Sequence, residues 1–376
     1  MFSLLLLTGA LFSGALWWAL GPLNLGRALL LCALSFAFLS YPSFLIYSAR
    51  GSETLLNEAL VFIWAGLFGW AFFFAGLSAI ALFVWAALKL SDAQKAAGLI
   101  FSGRSFAVLL IFSALLGGAA LLNALKTPQT DRVTIALEGL PAAFDGYRIT
   151  QITDTHFGLL FGKERAEKIV QIANSLHSDA IALTGDYADG LLADRRAETD
   201  ILFNLRAKDG VFAVEGNHEH YYDYERWMAY WKSAPLVFLQ NRSVLVTREG
   251  AFIAFAGTAD IGASRFPGHT PSDIGKALSD VPEGVPVILL THQVRRAEEN
   301  AARGVSLQLS GHTHGGQVLL FDLVVKALNK GFVRGLYDVS GMALYVGNGA
   351  DLWAGFPLRL GAPAQITQIT LKRKKP

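Results

Sequence analysis

Cysteine is nearly absent from this chain. The one residue, Cys32, excludes an internal disulfide and leaves the redox compartment open. Charge is scarce over the first third: through Leu125 only Arg27, Arg50, Glu53, Glu58, Lys89, Asp92, Lys95 and Arg104 are charged, and histidine is missing altogether. Helices packed against each other in water need a polar outer face, so this scarcity excludes a soluble helical bundle there. An excess of basic residues is also missing. A net charge of +2 at pH 7 excludes the electrostatic footprint of a nucleic-acid partner.

What fills the uncharged third is apolar sequence, in stretches near or above the roughly 20 residues that cross a bilayer. Four spans are expected, at residues 2–20, 29–47, 59–88 and 106–125, with Pro42 a candidate kink in the second. The first lacks a basic leading segment and an Ala-x-Ala-like end, and more spans follow it, so it reads as a retained helix rather than a cleaved signal peptide. Arg27, Lys89, Lys95 and Arg104 then share one side of the membrane, while Arg50, Lys126 and Arg132 share the other with both termini. Together with the nearly uncharged N-terminal tip, this places the C-terminal domain outside the cytoplasm.

The expected domains are a transmembrane helical region at 1–125, a polar linker at 126–131 and a soluble domain at 132–376. Hydrophobic periodicity in the last predicts strands at 133–137, 148–153, 180–184, 211–214, 237–239, 244–247, 252–256, 287–290, 305–309, 343–346 and 366–371. Helices are predicted at 163–176 and 195–206. Strands that first alternate with helices and later cluster imply a layered α/β fold, with two sheets face to face and helices outside, α/β/β/α. No repeat is visible in this half.

Between Asp154 and His314 five short clusters punctuate that pattern: Asp154-Thr-His156, Gly185-Asp186-Tyr-Ala-Asp189, Gly216-Asn217-His218-Glu219, Thr291-His292 and Gly311-His312-Thr-His314. Each falls where a strand should end, the place at which such folds collect ligands. Asp, His and Asn bind divalent cations through oxygen or nitrogen, and this mixture suits Mn, Fe or Zn, with Mn favoured. Two cations about 3.5–4 Å apart need a bridging ligand, and Asp186, turned by Gly185, is the candidate. Asp154 and His156, two apart on an extended segment, would grip one metal from one face, and His312 and His314 repeat that spacing. Asn217 offers an amide oxygen and His292 a ring nitrogen, while His218 can face the substrate. Glu219 reads as a loop support, and Arg334 as a surface residue with an option on phosphate.

In residue type and order these clusters resemble the signature of the calcineurin-like metallophosphoesterase superfamily, over about residues 147–372. The resemblance implies that Asp154, His156, Asp186 and His314 bind one metal and Asp186, Asn217, His292 and His312 the other. It further implies in-line attack on phosphorus by a hydroxide bridging the metals. His218 would protonate the leaving oxygen or stabilise charge on the phosphate, and Asp189 would orient His218. Gly190 stands where the phosphoprotein phosphatase branch has arginine, so a phosphoprotein substrate is disfavoured. The stretches 311–317, 345–349 and 356–361 are more similar to bacterial membrane-associated phosphodiesterases and to animal transmembrane metallophosphoesterase-domain proteins. That branch includes hydrolases of lipid-linked sugar nucleotides, although Asn348 departs from its usual Gly or Arg.

The expected activity is therefore hydrolysis of a phosphodiester or pyrophosphate, in a small or lipidic substrate met at a membrane. The competing reading, a catalytically inactive membrane receptor or scaffold on the same fold, should have lost a ligand, and all seven are present. A transport path would want ionisable residues within the spans, and none is predicted there. Oligomeric state is not encoded in these patterns.

Overall fold

The computed structural model describes residues 55–91, 93–100, 102–158 and 160–374. The spans expected at 2–20 and 29–47 lie outside the described residues. Among the described residues two helices are long and apolar enough to cross a membrane. They are the stretch Val61–Lys89 of the helix Leu55–Lys89, with mean hydropathy 2.2, and the helix Gly103–Ala124, with mean hydropathy 2.3. The shorter one has 22 residues, about 33 Å at 1.5 Å per residue and thus a bilayer core's thickness. The two approach through glycine. A Cβ on Gly117 would lie 2.7 Å from the carbonyl carbon of Gly69, so only hydrogen fits at the crossing.

By contacts the chain divides into two units. Ala354–Leu358, expected within the soluble domain, groups with the helices. The reason is apolar: the Phe356 ring meets Phe68 and Phe72 edge-on, at 5.6 and 5.2 Å between centroids.

Among its described residues the other unit holds twelve strands. In chain order they are β1 Gln129–Leu137, β2 Arg148–Ile152, β3 Ala180–Thr184, β4 Val211–Val214, β5 Val237–Phe238, β6 Arg242–Arg248, β7 Ala251–Gly257, β8 Val287–Leu290, β9 Leu307–Ser310, β10 Gly335–Val339, β11 Met342–Val346 and β12 Gln365–Arg373. They form two six-stranded sheets, ordered β1-β12-β2-β3-β4-β5 and β10-β11-β9-β8-β7-β6. β1 starts inside the stretch read as linker, because Gln129 to Asp131 pair in register with Gln365 to Thr367.

β2 through β5 run parallel, as do β7, β8, β9 and β11. Such strands are covered on both faces, and β3 (Ala-Ile-Ala-Leu-Thr) is buried at every position. Between the sheets lies one core, with Ile149, Ala182 and Val214 from the first and Ile253, Ile288 and Leu309 from the second. At its centre Phe212 stacks on Phe255 at 4.1 Å and 9°. On its other face the first sheet meets Ala166, Ile169, Val170 and Ala173 of the helix Lys163–Ser175, with Trp227 and Trp231 of the helix Tyr224–Ser233. The second sheet carries Ile274, Ala277 and Ala297 on its other face.

Phe212→Ala would open a cavity at the middle of the shared core, where neither sheet can collapse onto the gap. A loss of about 3–5 kcal/mol is expected, read as a lowered unfolding midpoint of the detergent-solubilised chain.

Candidate metal centre

Every cluster sits just past the carboxyl end of a parallel strand: Asp154 after β2, Asp186 after β3, Asn217 after β4, His292 after β8, and His312 and His314 after β9. The backbone that aims them is not extended, as the i, i+2 spacing had suggested. Asp154, His156, Asp186, His312 and His314 have φ of 54, 40, 56, 70 and 48°. The left-handed region costs a non-glycine residue of order 1–3 kcal/mol and persists where surrounding structure enforces it, typically at functional sites. The enforcement here is steric. A Cβ on Gly216 would lie 2.2 Å from Asp186 Oδ1, and one on Gly311 would lie 2.2 Å from Asp154 Oδ2.

Two groups with no residue in common result, each able to place ligand atoms around one point, Asp154, His156 and His314, and Asp186, His292 and His312; a third, His156, Asp189 and His218, overlaps the first. In the first, His314 Nε2 lies 3.1 Å from His156 Nε2 and 3.4 Å from Asp154 Oδ1. In the second, His292 Nε2 lies 3.0 Å from Asp186 Oδ2. The groups meet at Asp186, whose Oδ2 is also 3.7 Å from His156 Nε2, while its Oδ1 accepts the His218 backbone N–H. Asp154 accepts the His312 backbone N–H through both carboxylate oxygens.

The supporting bonds fix which atoms face inward. His292 Nδ1 donates to the Thr184 carbonyl at 2.7 Å, which turns Nε2 toward the Asp186 carboxylate. Asn217 donates its amide N–H to the Tyr221 hydroxyl, and its buried Oδ1 has no hydrogen-bond partner; nor has His292 Nε2. An unpartnered amide oxygen and two fully buried carboxylates turned toward one another repel unless a cation lies among them. The donor set therefore fits divalent metals.

Charge and burial act together on the titratable groups. Burial pushes His312 down to about 3 and His314 well below its ordinary value, holding both in the neutral form that ligates metals. Burial also opposes the His292 charge, but Asp186 outweighs it and raises that imidazole. Asp154 is raised by burial, and Asp186 is lowered because His292 and His218 override the same effect.

His218 stands apart, its ring edge-on to His156 at 4.6 Å. Its Nδ1 is hydrogen-bonded to Asp189 Oδ1, which lies 3.2 Å from His156 Nδ1 as well, so one carboxylate orients both rings. Burial works against the imidazolium of His218, yet Asp186 and Asp189 raise it to about 9.

Glu219 takes the N–H groups of Asp186, Tyr187 and Gly216, at 3.1, 2.8 and 2.7 Å, a carboxylate holding two ligand turns together. Arg334 is engaged with Asp322 and the Gly315 carbonyl. His220 and His269 pair with each other at 2.8 Å through Nδ1. Trp353 escaped the sequence reading: its indole stacks on His314 at 6.0 Å and meets His218 edge-on at 5.7 Å. Its signal was a tryptophan four residues past the Tyr345-to-Gly349 stretch, inside a loop without periodicity. Buried Arg359 was missed too, and it donates to the carbonyls of His314, Asn348, Asp351 and Ala362, pinning the loop beneath His314.

A sandwich of mixed sheets with His, Asp and Asn converging at the strand ends defines a metal-dependent phosphoesterase class. The profile of the calcineurin-like phosphoesterase family matches residues 147–316. A transmembrane protein with metallophosphoesterase domain from Danio rerio is 34% identical over 309 residues, covering 78% of this chain and 70% of that protein. Its namesake from Bos taurus is 32% identical over 277 residues, covering 71% of this chain and 62% of that protein. An uncharacterised metallophosphoesterase of Campylobacter jejuni is 33% identical over 270 residues, covering 71% and 69%. The chain belongs to the calcineurin-like metallophosphoesterase family.

Proposed function

We propose that the protein is a membrane-tethered phosphoesterase cleaving a phosphodiester or pyrophosphate, in a small or lipidic substrate, with its catalytic domain outside the cytoplasm. The observation that carries the reading is Asp186, whose Oδ2 stands between two sets of candidate ligands at 3.0 Å from His292 and 3.7 Å from His156. Asp154, His156, Asp186 and His314 would hold one divalent cation and Asp186, Asn217, His292 and His312 a second, with Mn favoured over Fe or Zn. When bound, the pair supplies Lewis-acid polarisation of the phosphoryl group and lowers the pKa of a water.

The chain's own side chains supply the rest. His218, raised by Asp186 and Asp189, would offer the Nε2 proton to the leaving oxygen, while Asp189 holds Nδ1 and with it the ring angle. Tyr221 fixes the rotamer of the Asn217 amide, so that the oxygen and not the nitrogen faces inward. Trp353 walls one side of the three histidine rings and excludes water there. The tether rests on the two described apolar helices and on relatives that are named transmembrane proteins.

Metal removal tests the reading. Chelation is expected to abolish turnover of bis-p-nitrophenyl phosphate, and added Mn²⁺ to restore it. Absence of metal-dependent turnover on that ester and on lipid phosphodiesters would sink the proposal. Resistance to carbonate extraction checks the tether, and protease access in sealed vesicles the orientation.

A further inference from the structure

The helix Phe321–Leu328 is built inside out. Leu320, Leu323, Val324 and Leu328 recur at the i, i+3, i+4, i+8 spacing of an apolar stripe, and all four are exposed, Leu320 at 65%, Leu323 at 61% and Leu328 at 53%. Leu319 extends the stripe at 61%. Soluble surfaces rarely display contiguous aliphatic patches of this kind without a use for them. No residue of the helix is buried, so the stripe does not serve the core.

The opposite side of the helix is fastened to the metal centre. Asp322 receives Arg334 Nη2 at 2.9 Å, and Arg334 also donates to the Gly315 carbonyl, one residue past His314. At Gly316, with φ of 78°, a Cβ would lie 2.3 Å from that of Asp322, so helix and ligand turn are in backbone contact. Exposed Lys326 lies on the helix and exposed Lys330 just beyond it. Asp322 lies one turn before Lys326, and Glu298, itself exposed, is 3.4 Å from Lys330.

We infer that this helix is an interfacial element: its leucine stripe lies in the headgroup–acyl boundary of an anionic bilayer, with Lys326 and Lys330 at the phosphate level. The occupant is a lipid surface for two reasons. An outward aliphatic stripe flanked by lysine is the pattern that settles into a membrane plane, and the same chain carries helices apolar enough to span one. The inference rests on the proposed tether and deepens it, since a helix clamped to Gly315 and Gly316 would bring the candidate centre to the lipid phosphate plane.

The full chain, carrying Cys32→Ser, would be labelled with an environment-sensitive fluorophore through Leu323→Cys or Leu328→Cys. Leu245→Cys, an exposed position on β6, serves as the control. In nanodiscs containing phosphatidylglycerol, the two helix probes are expected to shift to the blue and to be quenched by brominated acyl chains, while the control probe does neither. Helix probes as wet as the control would overturn the inference. So would probes that are shielded but unquenched, since a protein segment would then cover the stripe. Failure of the chain to enter nanodiscs would overturn the tether and the inference with it. The readout is optical and needs no turnover, so loss of quenching in a protein with metal-dependent activity removes the interfacial helix and leaves the phosphoesterase reading standing.

Discussion

Asp186→Asn is expected to lower metal-dependent phosphoesterase turnover by about a thousandfold, without unfolding the protein. The side chain keeps its shape, and its carbonyl oxygen can still accept the His218 backbone N–H that Oδ1 now takes at 2.8 Å. What changes is the other atom. An amide N–H₂ would point at His292 Nε2, where a carboxylate oxygen now lies at 3.0 Å. In chelator that swap leaves the His292 imidazole without the carboxylate that raises it, so the metal-free variant should melt below the parent. With Mn²⁺ the gap widens. Cation at a hundredfold excess over its dissociation constant stabilises the parent by about 2.7 kcal/mol, and the variant, lacking the shared oxygen, should gain little of it. Melting curves with and without Mn²⁺ separate these cases. A variant that kept the full cation-dependent shift would show that Asp186 does not join the two ligand sets.

The parts of this site legible in the sequence are those that obey local rules. Ala180 to Thr184 reads as a strand buried on both faces because every residue is small or apolar, and Gly185 after it announces a turn. Glu219 could be read as a support because a carboxylate beside Asn217 and His218 finds unpaired backbone donors at Asp186 and Gly216. The geometry that delivers the ligands was not legible. Alternation predicted extended backbone at Asp154 and His156, whereas both are left-handed, a conformation imposed by the loops packed around them. Trp353 was hidden for a related reason: it meets His156 across nearly two hundred residues, and no periodicity encodes such an approach. β10 was overlooked because its burial is only partial, and the helix Phe321–Leu328 because its stripe sits among apolar neighbours that mask its ends.

Gly311→Ala should be the most damaging single methyl in the domain. Its Cβ would lie 2.0 Å from Thr153 Oγ1 and 2.2 Å from Asp154 Oδ2, and neither atom is the free end of a flexible chain. Thr153 Oγ1 is hydrogen-bonded to Asp154 Oδ2 at 2.7 Å, and that carboxylate is gripped by the His312 backbone N–H at 3.0 and 3.1 Å. Relief requires the loop after β9 to draw away from the loop after β2. That motion parts His312 and His314 from Asp154 and disturbs both ligand sets at once. Overpacking of this kind costs about 1–3 kcal/mol, which the folded domain can survive. A displacement of about 1 Å in a catalytic constellation costs of order a hundredfold in rate, so activity should fall much further than stability. Gly118→Ala supplies the contrast, because a Cβ there meets nothing within 4 Å, and it should leave both properties unchanged. If Gly311→Ala retained parental turnover and parental stabilisation by Mn²⁺, the two loops would not be in the close contact on which the ligand geometry depends.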